Sequence, residues 1–163
     1  MKNINIIALV DNNYGIGYKG DQLIYIYDDL KRFKDLTYNH TVVMGRKTCE
    51  ALPVQYLPNR RNIILTHNIN YERAGCEIFN TVDDLLNNIN DNEKVFIIGG
   101  GKIYKLFLSL ANKIYLTVVN YKFENVDTYF PNINDEWKLS RNTDLMMDSE
   151  SNLNFKYKIF KRK

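Results

Sequence analysis

Cysteine is scarce in this chain: Cys49 and Cys76 are the only two in 163 residues. They stand apart, without the paired spacing of a metal site or the density of a disulfide framework. Two free thiols in a reducing, cytoplasmic setting are therefore expected. Histidine is equally sparse. His40 and His67 are distant in sequence, no Ser, His and Asp order suggests a nucleophilic triad, and no resident metal is expected. His40 reads as a surface-loop residue. Long hydrophobic runs are missing too. Met1 to Val10 is apolar but short, and Asn3 and Asn5 interrupt it, which fits a strand and neither a signal peptide nor a membrane span. Charge of one sign is lacking: 22 Lys and Arg against 19 Asp and Glu leave a net +3. That is too small and too scattered to demand nucleic acid, although a local basic patch still attracts a small polyanion. No aromatic-and-basic strand motif of an RNA binder appears. There is no repeat, low-complexity block or linker.

What is present is ordinary in bulk. Hydrophobic residues make up 45% and charged residues 25%, as in soluble globular proteins. The length suits one domain spanning 1–163 with room for a core. Short apolar strands are expected at Ile4–Val10, Thr41–Gly45, Asn62–Leu65, Glu77–Phe79, Val95–Ile98 and Lys113–Val119. Helices are expected at Asp29–Thr37, from Lys47, at Thr81–Ile89 with Thr81 as the N-cap, and at Lys102–Leu108. This alternation argues for a parallel sheet covered on both faces. The tail "NFKYKIFKRK" sets Phe155, Tyr157 and Ile159 against lysines, the pattern of a half-exposed antiparallel edge strand.

Three unusual features fall where strands end, the place where open α/β sheets bind ligands. The first is the turn "DNNYGIG" after Val10. The second is "GRKT", Gly45–Thr48, where Arg46, Lys47, the Thr48 hydroxyl and backbone N–H groups would face an anion. It is not a P-loop, and its bland reading is a solvated basic turn with Thr48 as a cap. The third is "VFIIGGGKIYKLF", where three consecutive glycines separate a strand from a helix. One glycine is punctuation. Three are costly in conformational entropy and suit a backbone that must approach something closely. With Lys102 beside them, the two glycine sites would suit a dinucleotide's pyrophosphate and an extra phosphate.

Two further segments carry charge with a purpose. In "YDDLKRFKDL", positions i+1, i+4 and i+7 from Asp29 are Leu30, Phe33 and Leu36, so Asp29 borders the apolar face. Asp28 leads instead to Lys31 and Arg32, the polar face, and reads as a helix-start charge or cap. No basic partner is evident on the face of Asp29, so a ligand partner competes with the plainer reading of a half-solvated N-terminal charge. In "LPNRRN" two arginines precede a strand; they are either a solvated pair or a grip for a carboxylate.

Taken in order, "IALVDNNYGIG", "DLKRFK", "VVMGRKT", "LPNRRNIIL", "VFIIGGGKIY", "IYLT" and "DTYFP" resemble the chromosomal or phage type of dihydrofolate reductase, from end to end. The resemblance implies an α/β fold with a central eight-stranded, mostly parallel sheet, an antiparallel C-terminal strand and four flanking helices. It implies NADPH-dependent reduction of dihydrofolate to tetrahydrofolate by hydride transfer, serving one-carbon and thymidylate metabolism. It also implies a cytoplasmic monomer and a target for antifolate inhibitors, with no nucleic-acid or membrane partner. By position, Asp29 would pair with the pterin, supported by Thr117. Ile7, Ile98 and Tyr104 would line the pterin end. Leu30, Phe33, Leu52 and Leu57 would wall the benzoyl group, and Arg60 would take the glutamate carboxylate. For the cofactor, the resemblance implies Leu9, Ile16, Gly45, Leu65, Ile98, Ile103 and Tyr104 as walls. It implies Arg46, Lys47, Thr48, Thr66, His67 and Lys102 at the phosphates, with Gly99, Gly100 and Gly101 admitting the backbone and a cis peptide between Gly99 and Gly100. The stretch from Gly17 through Gly20 to Gln22 would be a mobile loop over the nicotinamide. One departure bears on proton delivery, loop closure and antifolate binding: Leu23 and Ile24 stand where the family has Pro-Trp, and Ile24 cannot donate a hydrogen bond. Two rivals remain. The related reductase of riboflavin synthesis lacks this Asp on its first helix, and a non-catalytic nucleotide-binding module would explain "GRKT" and "GGG" but not Asp29.

Overall fold

The computed structural model describes residues 2–163; Met1, the first residue of the apolar opening stretch, lies outside them. Strand β1 (Asn3–Val10) is buried on both faces. Its alternate residues enter different clusters: Ile4, Ile6, Ala8 and Val10 on one side of the sheet, Ile7 on the other. That two-sided burial is the physical reason for a continuous apolar run in place of a polar–apolar alternation. Each fully buried Ile, Leu or Phe contributes about 1.5–3 kcal/mol of transfer free energy.

The remaining elements follow in order. They are β2 (Gly15–Tyr18), β3 (Asp21–Gln22), α1 (Tyr27–Thr37), β4 (Thr41–Gly45), α2 (Arg46–Glu50), β5 (Arg61–Leu65), β6 (Cys76–Phe79) and α3 (Val82–Asn87). Then come β7 (Lys94–Gly99), α4 (Gly101–Phe107), β8 (Lys113–Val119), β9 (Thr128–Tyr129), β10 (Trp137–Asn142), β11 (Met146–Met147) and β12 (Asn154–Arg162). The main sheet runs β10-β12-β8-β1-β7-β4-β5-β6, with β11 beside β12. Strands β1, β4, β5, β6, β7 and β8 pair in parallel, so their carboxyl ends lie together. Strand β12 runs antiparallel to β8. Thr81 caps α3 as expected, its side chain accepting from the Asp84 N–H. Both cysteines are free thiols, and no helix of the described residues is long and apolar enough to cross a membrane.

The structure corrects two expectations and refines another. The tail is antiparallel but not an edge: β10 and β11 cover its outer side. Strand β10 was missed because only Trp137 of its six residues is buried, leaving no apolar period to read. Second, the loop expected at Gly17–Gln22 carries regular pairing and is a hairpin. Strands β2 and β3 join through Lys19 and Gly20, both at positive φ (50° and 82°), the turn geometry that matches strand twist. This hairpin pairs with β9 to form a second, three-stranded sheet. Third, Asp28 does not cap α1. Ile26 holds that position without a side-chain hydrogen bond, and Asp28 stands in the first turn.

Candidate active site

The carboxyl ends of β1, β4, β5, β7 and β8 gather most of the residues singled out in the sequence. The Thr117 hydroxyl on β8 donates to Oδ1 of Asp29 on α1. Thr117 sits level with Leu9 on β1 and Tyr157 on β12, so the carboxylate reaches down from the helix onto the middle of the sheet. Burial pushes the Asp29 carboxyl above the usual carboxylate range, while the Thr117 hydroxyl and the Arg32 guanidinium pull it back. The cation is a correction. Arg32 is i+3 from Asp29, on the same helical face, and not on the solvated face with Lys31. Its guanidinium lies 3.9 Å from the Tyr157 ring centroid and 5.8 Å from that of Tyr115.

The apolar wall forms as the residue types require. Ile7, Phe33, Leu52, Leu57 and Ile98 belong to one cluster, with Met44, Phe96 and Tyr115 behind them. Leu30, which precedes this face by a turn, is 45% exposed, as a side chain bordering an open cleft would be. Leu36 packs in the same cluster. At the far end of α1, Arg60 is held by two acceptors, the Pro58 carbonyl at 2.9 Å and the Thr37 hydroxyl at 3.1 Å. Burial lowers its pKa, and among the described ion pairs none involves Arg60. Its neighbour Arg61 differs: it pairs with Glu77 at 2.6 Å and Glu93 at 2.8 Å and is structural. The two arginines of "LPNRRN" therefore part, one onto the end of α1 through Thr37 and one into an ion network.

The glycine turn meets this wall through Tyr104. Its buried hydroxyl donates to the Ile7 carbonyl at 2.8 Å, and burial together with the Asp29 charge pushes it well above the usual phenol range. A Cβ built on Gly99 would stand 3.4 Å from this hydroxyl and 3.6 Å from the Thr48 hydroxyl, at φ +128°, which L side chains rarely adopt. The peptide between Gly99 and Gly100 is cis. A Cβ on Gly45 would meet Ile103 at 3.1 Å, and one on Gly101 would meet Thr128 of β9 at 2.8 Å and Ile16 of β2 at 3.8 Å. "GRKT", "GGG" and the hairpin thus converge on one small volume of bare backbone.

That volume suits a phosphate-bearing dinucleotide. Neither α2 nor α4 has a side-chain cap on its starting N–H groups; Arg46, Lys47 and Thr48 open α2, and Lys102 stands in the first turn of α4. Thr66 is half-buried and His67 exposed just past β5, beside the buried Leu65. Arg46 is tied to Glu50 at 2.8 Å one turn on, an exposed pair that a more strongly charged ligand can displace. On the hairpin, the Gln22 amide donates to the Ile24 carbonyl at 2.8 Å. Ile24 packs against Leu9, Ile26, Val119 and Phe155, so it adds apolar surface where a donor is usual. Asp11, 1% exposed, orders the first turn by accepting from the N–H groups of Asn13, Gly15 and Phe123. Sequence reasoning missed Arg32, Tyr115, Tyr157 and Thr37. An i+3 count from Asp29 finds the first, and the others are visible only once β8, β12 and α1 are in register. A cavity of about 670 Å³ at the opposite ends of the strands is lined by Asn39, His40, Arg61, Glu93 and Lys94; Arg61 and Glu93 in its wall are already paired to each other.

Comparison with known proteins gives a consistent result. Residues 3–162 match the family model described as Dihydrofolate reductase. A dihydrofolate reductase of Staphylococcus haemolyticus is 37% identical over 136 residues, 83% of this chain and 81% of that protein. One from Bacillus subtilis strain 168 is 31% identical over 161 residues, 98% of this chain and 95% of that protein. Among solved structures, dihydrofolate reductase from Enterococcus faecalis complexed with NADP(H) and RAB-propyl matches with a TM-score of 0.88 and 30% identity, covering 98% of this chain and 96% of that one.

Proposed function

The chain belongs to the dihydrofolate reductase family, and we propose that it performs that family's reaction in the cleft between α1 and the carboxyl ends of β1, β7 and β8. It is an NADPH-dependent oxidoreductase that reduces dihydrofolate to tetrahydrofolate. The observation that carries the site assignment is the meeting of Asp29, Thr117 and Tyr104. One carboxylate, oriented by Thr117 and half out of water, lies close enough to the glycine turn for Tyr104 to sense it.

In this reading Thr117 occupies one oxygen of Asp29 and leaves the other to the N–H donors of the pterin. The carboxylate orients the ring and stabilises positive charge on it, which favours protonation beside the carbon that is reduced. Ile7 and Ile98 exclude water from that end, Leu30, Phe33, Leu52 and Leu57 wall the middle, and Arg60 receives the substrate's carboxylate at the mouth. Bound NADPH supplies the hydride. The chain's part is to hold the two rings face to face: Gly99 and Gly100 present bare backbone, Gly45 and Gly101 keep the approach open, and Arg46, Lys47, Thr48, Thr66, His67 and Lys102 hold phosphate. The Ile16 to Gln22 hairpin covers the nicotinamide, with Gly17 and Gly20 on it. We place the chain in the cytoplasm as one domain and a monomer, open to antifolate-type ligands.

The test is NADPH oxidation by the purified chain, followed with and without dihydrofolate. Oxidation that depends on dihydrofolate is expected. Tight NADPH binding with no such turnover would instead favour a non-catalytic nucleotide-binding module.

A further inference from the structure

We propose that Arg32 is a positioning residue for the reaction: a fixed cation, clamped on two tyrosine rings, that favours an ionised Asp29 with a neutral pterin over a ring that has become cationic. The inference rests on the assignment of Asp29 as the pterin partner.

Three observations carry it. Arg32 is one helical turn from Asp29, so both side chains lie over the same strands. Its guanidinium is stacked at 3.9 Å on Tyr157 and 5.8 Å from Tyr115, which fixes a planar cation in place without neutralising it. Among the described ion pairs none involves Arg32, so its charge is left to act on what lies nearby. The surroundings hold little else of that sign. Asp29 meets the Thr117 hydroxyl from β8, and its charge reaches Tyr104 of α4 and Tyr157 of β12. Arg32 further senses Tyr115 of β8 and, with opposing sign, Arg141 of β10, while Asp28 on its own helix reaches Tyr157. Burial raises all three phenols, so they stay neutral, and Asp28, the further carboxylate that reaches this stack, is exposed in the first turn of α1, where solvent screens it.

The consequence is a bias against net positive charge. A proton taken up by either the Asp29 carboxyl or the bound ring is opposed by the nearby guanidinium. A 2,4-diaminopyrimidine antifolate binds such a carboxylate as a cation and is disfavoured relative to dihydrofolate, which binds neutral. Arg32 therefore adds to the loss of a donor at Ile24 in setting which rings this cleft accepts.

The experiment compares the wild-type chain with Arg32→Gln, Arg32→Met and Arg32→Lys. Two quantities are read: the pH midpoint above which hydride transfer falls, and the affinity for a 2,4-diaminopyrimidine at pH 7. Both neutral variants should move the midpoint upward by about half to one pH unit and tighten the diaminopyrimidine roughly threefold to tenfold, as a partly screened unit charge implies. Arg32→Lys should keep the wild-type midpoint. An unmoved midpoint and affinity in both neutral variants would overturn the proposal. So would equal shifts in the Lys and Gln variants, since the stack and not the charge would then be responsible. Should one neutral variant melt, the other decides. A wild-type chain without dihydrofolate-dependent turnover would fail the activity reading itself, and the diaminopyrimidine titration would still report on Arg32.

Discussion

Asp29 and Asp28 are chemically identical neighbours with different fates, and helical phase decides between them. Asp29 is lodged against Thr117, whereas Asp28 is exposed in the first turn of α1. The inward turn of Asp29 is legible in the sequence because Leu30, Phe33 and Leu36 mark the apolar stripe. Arg32 is less legible for the same reason: it is i+4 from Asp28 and i+3 from Asp29, and only its stacking on Tyr157 decides between the two faces. Burial also makes Asp29 costly to the fold. A carboxyl whose folded pKa is raised stabilises the protein below that pKa, and the contribution is lost as pH rises through it. At neutral pH the ionised Asp29 thus opposes folding, and Asp29→Asn is expected to raise the melting temperature of the ligand-free protein. The gain should shrink as the pH is lowered towards 4, measured by thermal melts across that range. A variant less stable than wild type at pH 7 would contradict the burial argument. Asp28→Asn should cost only about 0.3–1 kcal/mol of helix-start stability.

The elements that build the site were readable in proportion to their apolar content. The parallel strands of the sheet declare themselves because they are buried on both faces, as in β1 and β4. Thr81 announced α3. Strands β2, β3 and β9 did not, because they are two to four residues long and gain their pairing from each other. The glycine turn joins these two classes of element. Gly101 lies where a methyl group would come within 2.8 Å of Thr128, so the small sheet can dock on the start of α4 only over a glycine. Gly101→Ala should push β9 and β2 away at a cost of roughly 1–3 kcal/mol. NADPH affinity should fall with it, as read by fluorescence titration, and unchanged affinity would detach the hairpin from the cofactor site. At α2, Arg46 is proposed to hold cofactor phosphate, and the family resemblance sets it, with His67, nearest the extra phosphate of NADPH. Arg46→Ala should weaken NADPH more than NADH, by about 1–2 kcal/mol for one charge-assisted contact. Equal losses for both cofactors would remove Arg46 from that role.

For the whole molecule, the two ends of the sheet do different work. One end carries the cleft; at the other, Arg61 on β5 ties Glu77 on β6 to Glu93, which also accepts from the Thr41 hydroxyl on β4. The Arg61 guanidinium holds Glu77 below the usual carboxylate range against a smaller opposing effect of burial. Burial pushes Glu93 up, but the Thr41 hydroxyl and Arg61 together outweigh it and hold it low. Carboxyls depressed in this way stabilise the fold above their unfolded value of 4.5, and the contribution is lost as pH falls through the folded pKa. Acid melting below about pH 4.5 should therefore be less steep in Arg61→Met. The neutral-pH cost should be near 1 kcal/mol, since Glu77 is half-exposed and screened. An identical acid profile in both proteins would place the acid sensitivity elsewhere. None of this network was visible in the sequence, where "RR" is merely two adjacent charges and only the register of β4, β5 and β6 shows which one is taken.

The proposed mechanism turns on one half-buried carboxylate, Asp29, which promotes reduction of dihydrofolate by NADPH in this cleft. Single-turnover hydride transfer, followed by loss of NADPH absorbance on mixing with dihydrofolate at pH 7 and pH 5, tests it most directly in the wild type, Asp29→Asn and Asp28→Asn. Asp28→Asn should transfer hydride at nearly the wild-type rate at both pH values. Asp29→Asn should be slower by about two orders of magnitude or more at pH 7, consistent with loss of a positioned acid–base group, and less impaired at pH 5, where a larger fraction of the substrate carries the proton before it binds. Full activity in Asp29→Asn together with loss in Asp28→Asn would contradict the placement of the carboxylate and the mechanism built on it.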